Sequence, residues 1–141
     1  MENKKKIFIT GATGNMGWAT FQELLKRTDR FRVCLLVRPS KKNRKKLQNY
    51  LNNEDVEIIW GDLLNYNDIL KGVTDASYVL HIGGMVSPMA DMYPEKTMKV
   101  NVTSAQYIVK AVNSQQNRDE IGVVYVGSVA QSGEHSVPHH W

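Results

Sequence analysis

Hydrophobic residues are concentrated in five short runs of the 141-residue chain, separated by longer segments of mixed polarity. The runs are rich in β-branched and aromatic residues, and four of them are nearly continuous in apolar side chains. Such runs predict strands that are buried on both faces of a sheet. The five predicted strands are Lys5–Thr10, Arg32–Val37, Val56–Trp60, Ser77–Ile82 and Val123–Gly127.

The segments between these strands show the spacing of amphipathic helices. In the fourth connection, apolar residues recur every three or four positions and predict one buried helix face. Strand and helix alternate along the whole chain, with no repeat or linker between them. The sequence therefore predicts one α/β domain with a doubly wound parallel sheet. The predicted buried face of the fourth helix consists of Met98, Val102, Ala105, Val109 and Val112.

Three glycines join the first strand to the first helix, in the stretch FITGATGNMGWATF. Gly11 permits a tight turn, Gly14 leaves room for a ligand beside the backbone, and Gly17 permits close packing of helix on strand. The backbone N–H groups at the helix start then face an anion, with the positive end of the helix dipole behind them. The loop predicts a pyrophosphate-binding site. Its other candidate residues are Thr13, Asn15 and Met16.

The spacing T-G-x-x-G-x-x-G resembles the short-chain dehydrogenase/reductase superfamily, and four further motifs are similar to its extended, epimerase/dehydratase-type branch. WGDLLN is similar to the G-D-(L/I) signature, which implies that Asp62, followed by Leu63, holds the adenine amino group. VLHIGG is similar to V-x-H-x-A-A and places His81, Gly83 and Gly84 beneath the cofactor at the end of the fourth strand. The resemblance implies a Rossmann-type fold that binds a nicotinamide dinucleotide.

The other two motifs carry the resemblance further along the chain. NVTSAQ resembles N-V-x-G-T and implies that Asn101 lies near the cofactor, although Ser104 and Ala105 replace the Gly and Thr. VVYVGSVAQSG is similar to V-x-x-S-S-x-x-x-Y-G and aligns Ser128 with the catalytic serine. Each match alone has an ordinary alternative, because Asp62 can cap a helix and Asn101 or Ser128 can be a simple polar position. The order and spacing of the motifs favour the family.

Arg38 follows the second strand, where a dinucleotide-binding fold usually presents an acidic residue to the adenosine ribose. No Asp or Glu occurs between Arg38 and Tyr50. A carboxylate would accept a hydrogen bond from the ribose 2′-OH, whereas Arg can pair with a 2′-phosphate. The sequence therefore favours NADP(H); in the alternative, Arg38 only covers the sheet edge and NAD(H) binds. Residues that can support Arg38 are Ser40, Lys41, Lys42 and Arg44.

Composition and charge bear on whether the protein binds nucleic acid, spans a membrane or holds a metal ion. Lys and Arg outnumber Asp and Glu by 13 to 3 in residues 1–46, and the balance reverses to 5 against 11 in residues 47–141. The basic run Lys41–Lys46 is interpreted as solvated helix surface, and nucleic-acid binding ranks far behind a phosphate ligand. The single Cys34 lies in an apolar run and is expected to be buried, which favours a cytoplasmic protein. The sequence predicts neither a membrane span nor a metal site.

The catalytic half of the family's site is not found in this sequence. The resemblance implies hydride transfer assisted by Tyr-x-x-x-Lys, and none of the six tyrosines is followed by lysine four positions later. We therefore expect residues 1–141 to be the dinucleotide-binding domain of a truncated family member. The C-terminal catalytic and substrate part would be absent, and the serine side of the sheet uncovered.

Together these features predict the NAD(P)-binding part of an oxidoreductase or epimerase/dehydratase, with a preference for NADP(H) and no activity of its own. The full-length parent would act on a small-molecule substrate, and an oligomer is compatible with this prediction. The alternative is a binding module that senses a dinucleotide without catalysis. A Tyr-x-x-x-Lys helix encoded after residue 141 would favour the enzyme.

Overall fold

The computed structural model describes residues 3–128, which form one five-stranded sheet with helices on both faces. All strand pairs are parallel and the strand order is β3-β2-β1-β4-β5, which confirms the Rossmann-type doubly wound fold. The first and third strands have the predicted bounds, and the others differ by one or two residues at their ends. The strands are β1 (Lys5–Thr10), β2 (Phe31–Val37), β3 (Val56–Trp60), β4 (Ala76–His81) and β5 (Gly122–Tyr125).

Helices occupy every connection, and the fourth connection holds two α-helices where the sequence predicted one. Short 3₁₀ helices cover Gln48–Tyr50 and Arg118–Glu120. Within residues 3–128, no helix has both the length and the apolar character needed to cross a membrane. The α-helices are α1 (Asn15–Leu25), α2 (Lys41–Leu47), α3 (Tyr66–Val73), α4 (Met89–Met92) and α5 (Pro94–Asn113).

Alternate residues of the central strands build two cores, one on each face of the sheet. Ile7 and Ile9 of β1 pack with Phe21 of α1 and Leu47 of α2 on one face. Phe8 packs on the other face against α3 and α5. Side chains alternate between the two faces of a strand, so an apolar run buried on both sides needs apolar residues at every position. Cys34 belongs to the same core as Phe8 and is 1% exposed, as expected from the apolar run in which it lies.

The sequence predicted the wrong buried face for the long helix of the fourth connection, which is α5 in the structure. In α5, Met98, Val102 and Val109 are 67%, 43% and 59% exposed. The buried side instead consists of Ser104, Ile108, Ala111 and Val112, the last of which is the only buried member of the predicted face. Apolar residues lie on more than one face of α5, and packing against α3 and the sheet selects the stripe that contains Ile108. A helical period alone does not select between two such stripes.

The prediction that all five strands are buried on both faces was also wrong for the two edge strands. In β3 only Val56 is buried, and β5 is more exposed still. Val123, Val124 and Tyr125 are 47%, 53% and 60% exposed. The strand lies at the edge of the described sheet and pairs only with β4 within residues 3–128. Among residues 3–128, the side of the sheet that leads to Ser128 is therefore exposed.

Candidate functional site

The predicted site residues meet at the carboxyl edge of the sheet. The chain runs from β1 outward to β2 and β3 and then returns to β4 on the other side of β1. Gly11 directly follows β1, Arg38 directly follows β2, and Gly83 comes two residues after β4. Doubly wound sheets usually bind ligands at such a switch in strand order.

The three glycines of the loop after β1 differ in whether the fold leaves room for a side chain. Gly11 has a φ of 74°, and a Cβ added there would lie 2.6 Å from the backbone nitrogen of Gly83. A Cβ at Gly17 would overlap the carbonyl group of Gly11. A Cβ at Gly14 would meet only the Gly11 carbonyl oxygen, at an ordinary contact distance of 3.5 Å. The fold itself requires Gly11 and Gly17, whereas the open space at Gly14 fits a phosphate group close to the backbone.

The start of α1 provides donors for that phosphate group. Gly14 is the N-cap residue, and no side chain caps the helix there. Backbone N–H groups of a first helical turn have no intrahelical acceptor, and the helix dipole makes this end positive. Asn15 and Met16 are exposed in this turn, and Thr13 is half-buried just before it. The local geometry therefore suits an anion.

A cavity of about 570 Å³ brings together the predicted adenosine-side residues. It is bounded by the end of β2 and the loop after β3, so Arg38 and Asp62 share it. Asp62 Oδ1 accepts a hydrogen bond from the Leu64 backbone at 2.8 Å. The cavity is lined by Arg38, Pro39, Ser40, Asn43, Gly61, Asp62 and Asp68.

Asp62 is not the cap of the helix that follows β3. The N-cap of α3 is Asn65, whose side chain accepts a hydrogen bond from the Asn67 backbone at 3.0 Å. Asn65, and not Asp62, therefore caps α3, and the Asp62 side chain bonds to the Leu64 backbone within its own turn. The neighbouring Leu63 is half-buried, and its side chain lies beside Gly83.

His81 lies at the centre of a buried polar chain beneath the site. Its Nδ1 atom is 2.7 Å from Thr10 Oγ1, and its Nε2 atom is 3.3 Å from Ser104 Oγ. The backbone N–H of Gly83 donates to the same Thr10 oxygen at 2.9 Å. His81 is only 2% exposed, and burial lowers its pKa. A neutral His81 thus ties β4 to β1 and α5 and fixes the position of Gly83.

Asn101 positions the segment after β4 through its side-chain amide. Its Oδ1 atom accepts from the Met85 backbone N–H at 2.8 Å, and its Nδ2 atom donates to the Met85 carbonyl at 3.0 Å. A Cβ at Gly84 would lie 2.9 Å from Asn101 Oδ1, which explains the glycine at that position. The amide of Asn101 is therefore engaged with the chain itself, beside the site.

Comparison with known proteins identifies the family to which this architecture belongs. The sequence model described as the NAD dependent epimerase/dehydratase family matches residues 7–140. The chain belongs to this family. Among curated relatives, it is 30% identical over 111 residues to UDP-glucose 4-epimerase of Rickettsia bellii, an alignment that covers 76% of this chain. The chain spans about a third of such a relative, 32% of its length.

Solved structures of similar fold support the same assignment of architecture. A crystal structure of UDP-glucose 4-epimerase matches with a TM-score of 0.70 at 16% identity, over 94% of this chain and 38% of that one. The Bordetella bronchiseptica enzyme WbmH, solved with NAD+, matches with a TM-score of 0.62 at 18% identity, over 84% and 37% of the two chains. These structures show the fold, and the match to the family model confirms the resemblance to the epimerase/dehydratase-type branch of the short-chain dehydrogenases/reductases.

Ser128, the predicted catalytic serine of this family member, lies three residues beyond β5 and is exposed. The adjacent strand β4 ends at His81, whose ring centroid is 5.6 Å from that of Tyr125 in β5. In the described range, residues 3–128, no group of three or more His, Cys, Asp and Glu side chains could hold a metal ion. His135 and His139, four positions apart and separated by Pro138, were not predicted to bind a metal, and they lie outside the described residues.

Lys46 is a contact of the phosphate loop that sequence reasoning missed. Its Nζ atom donates to the carbonyl oxygen of Thr13 at 3.0 Å and lies 4.3 Å from the centroid of the Trp18 ring. The basic run was predicted to be solvated surface. The only sequence signal for Lys46 was its position directly before the apolar Leu47, which is buried at the end of α2.

Proposed function

We propose that residues 1–141 form the dinucleotide-binding domain of an oxidoreductase or epimerase/dehydratase of this family, with a preference for NADP(H). The observation that carries the proposal is the combination of two features at one edge of the sheet. One is the loop in which Gly14 leaves open space next to the start of α1. The other is the cavity that Arg38 and Asp62 share.

The preference for NADP(H) rests on the charge at the end of β2. Arg38 is exposed at the cavity, and none of the ion pairs among residues 3–128 includes it. Its backbone carbonyl accepts from Asn43 Nδ2 at 2.9 Å, which anchors its position at the start of α2. A guanidinium group suits a phosphate dianion, because it presents several donors in one plane. NAD(H), which WbmH binds, is the alternative cofactor.

Beyond the cofactor, we propose that the whole protein acts on a nucleotide sugar. The support is that the curated relative named above, UDP-glucose 4-epimerase of Rickettsia bellii, carries a UDP-sugar in its name. The roles of Asp62 at the adenine and of Ser128 at the substrate follow from the family motifs and belong to the same proposal.

Calorimetric titration of the 141-residue chain with NADP+ and NAD+ tests the proposal. We expect tighter binding of NADP+, and Arg38→Ala should weaken it by about tenfold or more, since a hydrogen bond to a charged group contributes about 1.5–3 kcal/mol. NAD+ affinity should change by less than about twofold. Arg118→Ala, at an exposed site before β5, is the matched control and should change neither affinity. Equal wild-type affinities for both cofactors would contradict the preference.

A further inference from the structure

One cation of the basic run is held against the phosphate loop. Lys46 Nζ donates to the Thr13 carbonyl at 3.0 Å, and Thr13 lies between the loop glycines Gly11 and Gly14. The ammonium group also lies 4.3 Å from the Trp18 ring centroid, close enough for a cation–π interaction. Lys46 is half-buried, whereas Lys45 next to it is exposed. Two independent contacts therefore fix the ammonium group of Lys46 at the loop.

Among residues 3–128, no acidic side chain forms an ion pair with Lys46, and the ion pairs found there involve other basic residues. An ammonium group has three N–H donors, and the Thr13 carbonyl takes one of them. The remaining donors and the full positive charge are available to an anion. Arg44, by contrast, stacks over the Trp60 ring at 4.6 Å.

Sheet topology shows from which side Lys46 reaches the loop. Helix α2 follows β2, and β2 lies next to β1 on the side of β3, opposite to β4. Arg38 and Ser40 open the same connection and line the adenosine-side cavity. Lys46 thus belongs to the connection on the β2 side of β1, and not to the side of β4 and Ser128.

We propose that Lys46 is a specificity-determining residue that, together with Arg38, holds the 2′-phosphate of NADP(H). This inference rests on the proposed function, because it needs a dinucleotide in the loop. A second cation would add to the attraction that Arg38 exerts on the 2′-phosphate, a group that NAD(H) lacks. Loss of Lys46 should therefore change the discrimination between NADP(H) and NAD(H), and not dinucleotide binding in general.

The test is calorimetric titration of the 141-residue chain and three variants with NADP+ and NAD+. Lys46→Met removes the charge and keeps an unbranched side chain on Trp18, and we expect about tenfold weaker NADP+ binding with NAD+ affinity unchanged within about twofold. Lys46→Arg keeps the charge and should retain most of the NADP+ affinity. Lys45→Met is the matched control, one residue away with the same loss of charge, and should behave as wild type. Circular dichroism verifies that each variant is folded.

Each other result has a defined meaning. If Lys46→Met weakens NADP+ and NAD+ equally, Lys46 serves the loop and not the 2′-phosphate, and the inference is wrong. If Lys46→Met and Lys45→Met have equal effects, only the general charge of α2 matters, and the inference is again wrong. A wild-type chain that binds neither dinucleotide would contradict the proposed function itself, whereas wild-type binding with an unaffected Lys46→Met variant contradicts the role of Lys46 alone.

Discussion

Thr10 Oγ1 and His81 Nδ1 lie 2.7 Å apart, and the groups around them fix the direction of their hydrogen bond. Ser104 donates its hydroxyl proton to the Asn101 carbonyl at 3.3 Å, so its oxygen accepts from the N–H group at His81 Nε2. In the neutral ring Nδ1 then carries no proton, and it accepts from Thr10 Oγ1. Thr10 Oγ1 itself accepts from the Gly83 N–H. Every donor in this chain has an acceptor only while His81 is neutral.

This arrangement predicts that the chain loses stability in mild acid. Burial lowers the pKa of His81, so the unfolded chain, with a histidine pKa of about 6.5, takes up the proton first as the pH falls. The contribution of His81 to stability is therefore complete above about pH 6.5 and is lost as the pH falls from there through the lowered pKa of the folded state. Urea unfolding between pH 7.5 and 5.5 measures the effect. The slope can approach about 1.4 kcal/mol per pH unit for one proton.

The control for this prediction is His81→Gln. The variant keeps the other three histidines of the chain, so the difference between the two pH profiles isolates His81. We expect the variant to be less stable at pH 7.5 and to show a flatter profile below pH 6.5. Identical slopes for the two proteins would show that His81 does not control the acid response.

Gly14 and Gly17 separate ligand binding from folding. Gly14→Val should leave the circular dichroism spectrum and thermal unfolding nearly unchanged, because its Cβ meets open space, yet abolish detectable dinucleotide binding. Gly17→Val should lower the free energy of unfolding by about 3 kcal/mol, because its Cβ would overlap the Gly11 carbonyl. Titration and thermal unfolding of both variants check this. Undiminished binding by Gly14→Val would mean that the loop does not hold a phosphate.

We expect Asn101 to stabilise the segment after β4 through its two hydrogen bonds to the backbone of Met85. Asn101→Ala removes both hydrogen bonds to Met85 and should lower the free energy of unfolding by about 1–3 kcal/mol. Hydrogen exchange at the Met85 amide should accelerate at the same time. Asn113→Ala, at an exposed position in the last turn of the same helix, is the matched control. Unchanged Met85 exchange in Asn101→Ala would show that the two bonds do not hold this segment in solution.

We expect no hydride transfer by the 141-residue chain, even with cofactor bound. No Tyr is followed by Lys four residues later, and general acid–base assistance is typically worth about 10²–10⁴-fold in rate. Absorbance of the reduced cofactor, followed with aldehydes, ketones and sugar nucleotides, measures the activity. Turnover that Ser128→Ala abolishes would contradict this expectation, because Ser128 would then belong to a complete catalytic site.

The sequence by itself determined the sheet and the loop that follows its first strand. β1 and β3 have the predicted bounds because short runs of β-branched and aromatic residues favour strands, although β1 is central in the sheet and β3 lies at its edge. Gly17 follows from local geometry too, since the group that excludes a side chain there belongs to Gly11, six residues earlier. Such features depend on neighbours along the chain, and the sequence displays those directly.

Tertiary structure alone decided which face of α5 is buried and which polar groups meet. Periodicity selected the stripe with Met98 and Val109, but packing on α3 and the sheet buries Ile108. His81 meets Thr10 across 71 positions, and Lys46 reaches Thr13 across 33. These contacts exist because the strand order places β1 between β2 and β4, which brings distant segments to one edge of the sheet. The local hydrophobic period carries no information about that order, because it reports only whether a face is buried and not against what.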